Sequence, residues 1–284
     1  MVDVDMGFTE TSATSMDLVS AIVQKQLIAA AKLMFTVQDE SARAVKGASS
    51  VSFPRTGDLT PDDKVENVAT ESQELTLAMD SLLLNQHAHT FVRLEDSAAA
   101  QTIVNVEGEI IERGGAGMAK KMDTYIYGVL KAGAAASNPD HILNHYGSSG
   151  KITRVKIIEA RTLLNKQEVP AEDRFMVISP DQEGELLDID GFVDADKYGS
   201  RETLLNGEIG RLFGFKVIMT SICENDVTLY YHKSACAFAR QIEPKWETDR
   251  NLKLLADEYS LSALYGAKIL DSGKRNVTAN STGS

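Results

Sequence analysis

The sequence predicts an α+β fold built around one unusually long helix. Three observations predict it: a polar excursion with strand-like ends over residues 48–85, apolar residues at helical spacing from Ile103 to Val129, and several β-like segments after residue 171. The chain has 284 residues, of which 43% are hydrophobic and 25% charged. That composition is typical of a folded protein with one large domain or two small ones.

Charge and cysteine content argue against several classes of protein. The net charge of −12 does not suit a protein whose main task is to grip nucleic acid, because that affinity comes mostly from Lys and Arg. Cys223 and Cys236 are too few for a disulfide framework or a cysteine zinc site. Polar residues interrupt the apolar stretch from Leu18 to Met34, so neither a signal peptide nor a membrane span is predicted there.

The first part of the chain predicts a helix followed by a very long hairpin. Apolar residues recur at helical spacing from Asp17 to Met34. Strand-like pieces follow around Val51 and Phe53 and again around Leu77 and Met79, and the residues between them are polar. Most loops in compact domains have about 4–6 residues. We therefore expect something outside the subunit to support this hairpin.

A strand and the long helix come next. Residues Gln86 to Leu94 alternate as in a strand, and apolar steps of three and four then predict a helix from Asp96 to about Ala134. Such a helix would be about 50 Å long, whereas the mean helix has only about 11–12 residues. Gly114, Gly115 and Gly117 each cost about 1 kcal/mol relative to Ala in a helix, so we expect a bend or a close contact there.

The C-terminal half predicts one more amphipathic helix and then mostly strands. The helix covers Ile152 to Asn165, and its apolar face is predicted to be Ile152, Val155, Ile158 and Thr162. "FMVISP" predicts a buried strand closed by Pro180, before a short helical piece. "FKVIMTSI", "DVTLYYH", "ACAFARQI" and "YSLSALYGAKILD" predict strands, with Trp246 placed after the third of them. The polar tail from Ser272 to Ser284 predicts an extended terminus.

The motifs predict no catalytic residue, no cofactor and no metal site. Gly207, Gly210 and Gly214 precede a strand, whereas the glycines of a dinucleotide fingerprint follow one, so they predict a tight turn into that strand. In "HYGSSGKIT", Gly150 and Lys151 precede a helix as in a phosphate loop. Two required residues of that loop are missing from the segment, its first glycine and its Ser or Thr.

The order of these parts resembles the major capsid protein of tailed bacteriophages, with the Hong Kong ninety-seven fold that encapsulins share. The stretches "SVSFPRTGDL", "VPAEDRFMVISP", "GEIGRLFGFKVIMTS" and "YSLSALYGAKILD" and the long helix carry the likeness. The resemblance implies an N-terminal arm with a short helix at 1–47, an extended E loop at 48–85 and a P domain at 86–170 with a spine helix at 96–134. It further implies an A domain at 171–232, and P-domain return strands with a C-terminal tail at 233–284.

The resemblance also implies which residues meet neighbouring subunits. The charged residues expected to form intersubunit ion pairs in the E loop are Arg55, Asp62, Asp63, Lys64 and Glu66. The P-domain contact candidates are Arg240, Trp246 and Arg250, and the three glycines of residues 207–214 shape a turn in the A domain.

The implied function is structural and not enzymatic. Copies of the chain would form hexamers and pentamers of an icosahedral virion shell, assembled in the host bacterial cytoplasm and enclosing double-stranded DNA without sequence-specific binding or a membrane. A portal and a decoration protein are further expected partners. Because the chain begins near the arm, a separate scaffolding protein is expected too. Two alternatives stay open: an encapsulin-like cellular compartment shell, and a cytoplasmic nucleotide-binding enzyme that uses the Gly150–Lys151 loop.

Overall fold

The computed structural model describes residues 31–56, 63–64, 66, 72, 77–97, 106–137, 142–144, 151–187 and 208–280. Its strands are β1 Gln38–Asp39, β2 Ser50–Thr56, β3 Leu77–Leu83, β4 Gln86–Glu95, β5 Ile142–Asn144, β6 Arg174–Ile178, β7 Glu208–Leu212, β8 Phe215–Met219, β9 Val227–His232, β10 Cys236–Asn251, β11 Ala256–Ile269 and β12 Asn276–Asn280. Its helices are α1 Val106–Ser137, α2 Arg154–Lys166 and α3 Pro180–Leu187. The fold is α+β, as the sequence predicts.

The first sheet has four strands in the order β1-β10-β11-β4. Its centre is a long antiparallel hairpin in which β10 pairs with β11 from Cys236↔Ile269 to Asn251↔Ala256. Strand β4 adds antiparallel to β11. Alternate residues of β11 are buried because one face of the sheet lies against α1. The buried apolar residues that the helix contributes recur at helical spacing: Ile111, Met118, Ala119, Met122, Ile126, Tyr127 and Leu130.

The second sheet has six strands in the order β5-β12-β9-β6-β8-β7 and lies between two helices. Every residue of β6 is buried, because its alternate side chains enter different cores. Phe175 and Val177 join the core that contains α1. Met176 and Ile178 join the core that contains α2.

A third, two-stranded sheet is formed by β2 and β3, which pair from Ser50↔Leu83 to Thr56↔Leu77. This pairing confirms the predicted hairpin at its base. Most of the residues between the two strands lie outside the described part of the chain, as does most of the predicted helix from Asp17 to Met34.

The long helix is confirmed over Val106–Ser137, so it extends three residues past its predicted end at Ala134. Asp96 and Ser97 are also helical, and residues 98–105 lie outside the described residues. A Cβ atom at Gly114 would lie 3.5 Å from Leu261 of β11, which is an ordinary contact. At Gly133, by contrast, a Cβ would overlap the side chain of Ile269.

Three predictions about the C-terminal half were wrong in detail. The buried face of α2 is Ile157, Ala160 and Leu164, while Val155 is 71% exposed, because the core lies on the side opposite to the one inferred from spacing. The predicted third strand runs on through Trp246 to Asn251. Part of the polar tail is β12, whose Val277 and Ala279 are fully buried between β5 and β9.

Candidate intersubunit surfaces

The β2–β3 hairpin has one face packed on the subunit and one face uncovered. Val51 and Leu82 are cross-strand partners and both are buried. Leu77, Met79 and Leu83 alternate along β3 on the other face and are exposed by 65%, 70% and 58%. Large exposed apolar patches are typical of surfaces that interact with other molecules. The described residues of the subunit therefore leave this apolar face of the hairpin largely exposed.

The base of this hairpin is fixed on β11 by an unusually close backbone contact. A Cβ at Gly266 would overlap the carbonyl oxygen of Leu83, so only glycine fits there. Arg43 contacts two residues of β2. Its guanidinium donates to the Ser52 carbonyl at 2.8 Å and lies 4.8 Å from the centre of the Phe53 ring. The hairpin thus leaves the subunit from a rigid root.

The predicted E-loop contact residues lie on and beyond this hairpin. Arg55 is in β2, opposite Ala78. Asp63, Lys64 and Glu66 are exposed, as intersubunit ion pairs require. Asp62 lies outside the described residues. Their role at an interface stays a prediction.

A groove of about 350 Å³ lies between β4 and the first half of α1. Thr90 and Val92 form one wall, and Ile110, Gly114 and Gly117 form the other. Glu109 and Arg113 border it and pair at 3.2 Å. The absence of side chains at the two glycines opens this space. The sequence predicted that these glycines lie within the long helix. It did not predict the groove, because the groove forms only where β4 passes beside the helix.

The P-domain candidates occupy three different environments. Trp246 is only 3% exposed and its ring centre lies 5.5 Å from that of Tyr259, so the ring contributes to the subunit's own core and is not free to contact a neighbour. Arg240 Nη2 lies 3.8 Å from Asp39 Oδ2, which holds β10 to β1. Arg240 is half-buried, and its contact with a neighbour stays a prediction.

Arg250 is exposed and holds the end of the β10–β11 hairpin. Its Nη1 and Nη2 donate to Asp96 at 2.6 Å each, and Nη1 also donates to Asp257 at 2.9 Å. These hydrogen bonds raise the pKa of the guanidinium and lower the pKa of the Asp96 carboxyl. The residue therefore organises its own subunit, and an additional contact with a neighbour stays a prediction.

The turn that Arg250 supports displays three leucines. Leu252, Leu254 and Leu255 are exposed by 77%, 46% and 61%. Leu255 has a φ of 46°, a left-handed conformation that costs a non-glycine residue energy. Sequence reasoning missed this tip, although the run "NLKLLA" places apolar residues where a hairpin turn is ordinarily polar.

Two glycines of residues 207–214 have positive φ angles, which other residues rarely adopt. Gly214 has a φ of 90° and follows Phe213 with a φ of 49°, so β7 and β8 are joined by a tight turn with two left-handed residues. Gly210 has a φ of 103° at the irregular register between Glu208 and Arg211. Gly207 lies outside the described residues.

The loop considered for nucleotide binding is poorly suited to an anion. Gly150 lies outside the described residues and Lys151 is exposed. The backbone N–H of Ile152 donates to Glu185 Oε2 at 2.9 Å, so a carboxylate already accepts from the backbone just before α2, where a phosphate would bind. A second negative charge there would be repelled.

Two further features concern chemistry and membranes. Among the described residues, His, Cys, Asp and Glu do not form a group of three or more that could hold a metal ion. Cys223 and Cys236 are free and buried, and burial raises the pKa of both thiols to about 12. Of the helices that the structure describes, none is long and apolar enough to cross a membrane.

Comparison with known proteins gives a consistent result. The family described as Phage capsid protein matches residues 16–275. The structure is similar to that of Mycobacterium phage Che8, with a TM-score of 0.70 and 22% identity over 89% of this chain and 92% of that one. The capsid of cyanophage P-SCSP1u has a TM-score of 0.70 and 14% identity over 88% and 87% of the two chains.

A third similar structure is a virus-like particle from Pyrococcus furiosus. Its TM-score is 0.62 and its identity 10%, over 94% of this chain and 99% of that chain. A search of curated proteins by sequence found no match. The solved structures thus share the fold, and the family match covers most of the sequence.

Proposed function

The chain belongs to the phage capsid protein family, and from that premise we propose that copies of it assemble into the icosahedral shell of a tailed phage, enclosing double-stranded DNA. It is a structural capsid protein with the Hong Kong ninety-seven fold. The observation that carries the proposal is the family match over residues 16–275. The hairpin with an uncovered apolar face supports it, because a shell supplies the missing cover.

The proposed assembly explains why one subunit leaves surfaces open. We propose that the E loop at 48–85 lies on an adjacent copy, where Arg55, Asp62, Asp63, Lys64 and Glu66 form ion pairs. An exposed ion pair contributes only about 0–1 kcal/mol. Many such contacts repeated by closed symmetry nevertheless give a stable container. Hexamers and pentamers are the proposed building units, and the domain boundaries at 47, 85, 170 and 232 belong to the same proposal.

The charge of the chain is consistent with a wall around packed DNA. With 29 Lys and Arg against 41 Asp and Glu, the chain is acidic. A strongly basic lining would bind phosphates tightly and hinder packaging and ejection. We therefore propose that the shell encloses DNA without sequence-specific binding, without catalytic activity and without a membrane. A scaffolding protein, a portal and a decoration protein are the proposed partners, with assembly in the host cytoplasm.

Electron microscopy of the full chain tests this function. The chain is expressed alone and together with its neighbouring genes, and the particles are imaged in negative stain. Uniform hollow shells support the proposal, and shells that require a partner gene identify a scaffold. Monomers or small oligomers under every condition contradict it.

The encapsulin-like alternative has the same fold and differs in cargo. Nothing among the described residues favours a protein cargo over DNA. Particles that package a host-encoded enzyme instead of phage DNA would favour that alternative. The nucleotide-binding alternative is disfavoured by Glu185, which accepts from the Ile152 N–H.

A further inference from the structure

Asp123 is a buried carboxylate in the middle of α1 that binds a distant part of the chain. The residue is only 1% exposed, and its neighbours Met122 and Ile126 are fully buried. Its Oδ2 accepts from the backbone N–H of Lys32 at 2.7 Å and of Leu33 at 3.2 Å. Its Oδ1 accepts from the backbone N–H of Met34 at 3.1 Å. One side chain thus binds three consecutive amides about ninety residues away.

These three amides need an acceptor because of local geometry. Leu33 precedes a 3-10 turn at Met34–Thr36, and the first N–H groups of such a turn have no partner within it. Leu33 stands at the N-cap position of the turn, and its apolar side chain cannot accept a hydrogen bond there. Leu33 and Met34 are buried, so water does not replace the missing acceptor. Asp123 therefore caps, from another helix, the turn that follows the N-terminal segment.

The burial of the Asp123 carboxyl has a cost. Burial raises the pKa of the Asp123 carboxyl even though the three N–H groups act in the opposite direction. The ion pairs in the described part of the chain do not include it, and Lys32 Nζ instead donates to the Met219 carbonyl at 3.1 Å. An apolar residue would suit this core better, but it would leave the buried amides of Leu33 and Met34 and the part-buried amide of Lys32 without this acceptor.

A second contact holds the same segment to β9. Thr36 Oγ1 donates to the Leu33 carbonyl at 2.6 Å and lies 2.5 Å from the Tyr231 hydroxyl. Tyr231 and Val37 are buried beside it. Residues 31–37, which we name the arm root, are therefore held between α1 and β9.

We propose that Asp123 is a positioning residue that clamps the arm root to α1, and that regular assembly of the subunits requires this clamp. An effect on assembly requires that the subunits form shells, so this consequence rests on the proposed function. The clamp itself is a property of one subunit and can be measured without a shell.

Hydrogen exchange of the full chain, measured before assembly, tests the clamp directly. In the wild-type chain we expect the amides of Lys32, Leu33 and Met34 to exchange as slowly as those of α1. In Asp123→Asn, one acceptor oxygen becomes an NH₂ donor that faces an amide N–H. We expect at least about a tenfold loss of protection at the three amides, with the amides of β10 and β11 unchanged.

Two controls separate the clamp from general loss of stability. Glu112→Gln removes the same charge from an exposed position of α1 and should leave the three amides protected. Thr36→Val removes the hydroxyl that faces Tyr231 but keeps Asp123, and should also preserve most of their protection. If Thr36→Val and Asp123→Asn lose the same amount of amide protection at residues 32–34, packing holds the arm root and the proposal is overturned.

The wild-type measurement keeps the proposal falsifiable if Asp123→Asn does not fold. Exchange at residues 32–34 as fast as at the exposed turn 252–255 would overturn it. The assembly consequence has its own outcome: where the wild-type chain forms uniform shells, Asp123→Asn should form few or irregular ones. Uniform shells from a variant that has lost its protection would overturn the link to assembly, whereas the absence of wild-type shells would contradict the proposed function.

Discussion

Two long antiparallel hairpins in the described part of the chain have very different surroundings. In the β10–β11 hairpin, one face lies against α1 and both edges are paired, with β1 and β4. In the β2–β3 hairpin, neither strand pairs with a further strand in the described part of the chain, and Leu77 and Met79 are exposed. The two meet at Gly266. A hairpin in isolation is marginally stable, and in the described part of the chain only the β10–β11 hairpin is extended by further strands of its own sheet.

The largest expected effect is at the junction of the two hairpins. Gly266→Ala places a methyl group against the Leu83 backbone, which cannot rotate away as a side chain can. We expect a loss of at least about 3 kcal/mol in the free energy of unfolding, measured with denaturant. Gly117→Ala is the matched control, because a Cβ there meets nothing within 4 Å. A Gly266→Ala chain as stable as that control would contradict the close contact.

The two hairpins should respond differently to truncation of one apolar side chain. Leu261 of β11 is 1% exposed, and Leu261→Ala should cost about 2–5 kcal/mol of unfolding free energy. Met79→Ala should change that free energy by less than about 0.5 kcal/mol, because Met79 is 70% exposed.

In assembled particles, Met79→Ala should have a measurable effect on stability. If a neighbour covers Met79, its loss lowers the temperature at which shells dissociate. Shells of Met79→Ala that dissociate at the wild-type temperature would show that the uncovered face is not used.

A smaller effect is expected where α1 meets the end of β11. At Gly133 a Cβ would overlap side-chain atoms of Ile269, which can move. Gly133→Ala should therefore cost about 1–3 kcal/mol. Combining it with Ile269→Ala should cost less than the sum of the two single changes, which a double-mutant cycle measures. Additive costs would mean that these residues do not touch.

The smallest effect concerns the charges at the tip of β10–β11. Arg250 lowers the pKa of the Asp96 carboxyl below its usual value of 3.8. A depressed carboxyl pKa adds stability that is present above pH 3.8 and disappears as pH falls through the lower folded value. Arg250→Met should therefore be less stable than wild type at pH 7, with the difference shrinking at acidic pH and at high salt. A difference independent of pH would point to lost packing.

The sequence alone predicted the order of the elements well. The long helix, the strand after the hairpin, and strands β8 to β11 follow from apolar periodicity, which is a local property of the chain. The hairpin was predicted because strand-like residues stand at both ends of a long polar excursion. Its need for a partner outside the subunit, inferred from that length, stays a prediction.

Burial and long-range contacts were decided only by the tertiary structure. Val155 and Ile157 could each lie on the apolar face of α2. Only the position of the core in the folded subunit shows that Ile157 is the buried one. Trp246 was predicted to follow the third strand and to contact a neighbour, but β10 continues past it and the ring packs against Tyr259.

Asp123 gave no local signal, because the amides that it binds are about ninety residues away. Apolar periodicity indicates the secondary structure that each segment favours locally. It does not report which distant backbone groups will need an acceptor once the chain has packed, and that is why the arm root and the Gly266 junction appear only in the folded subunit.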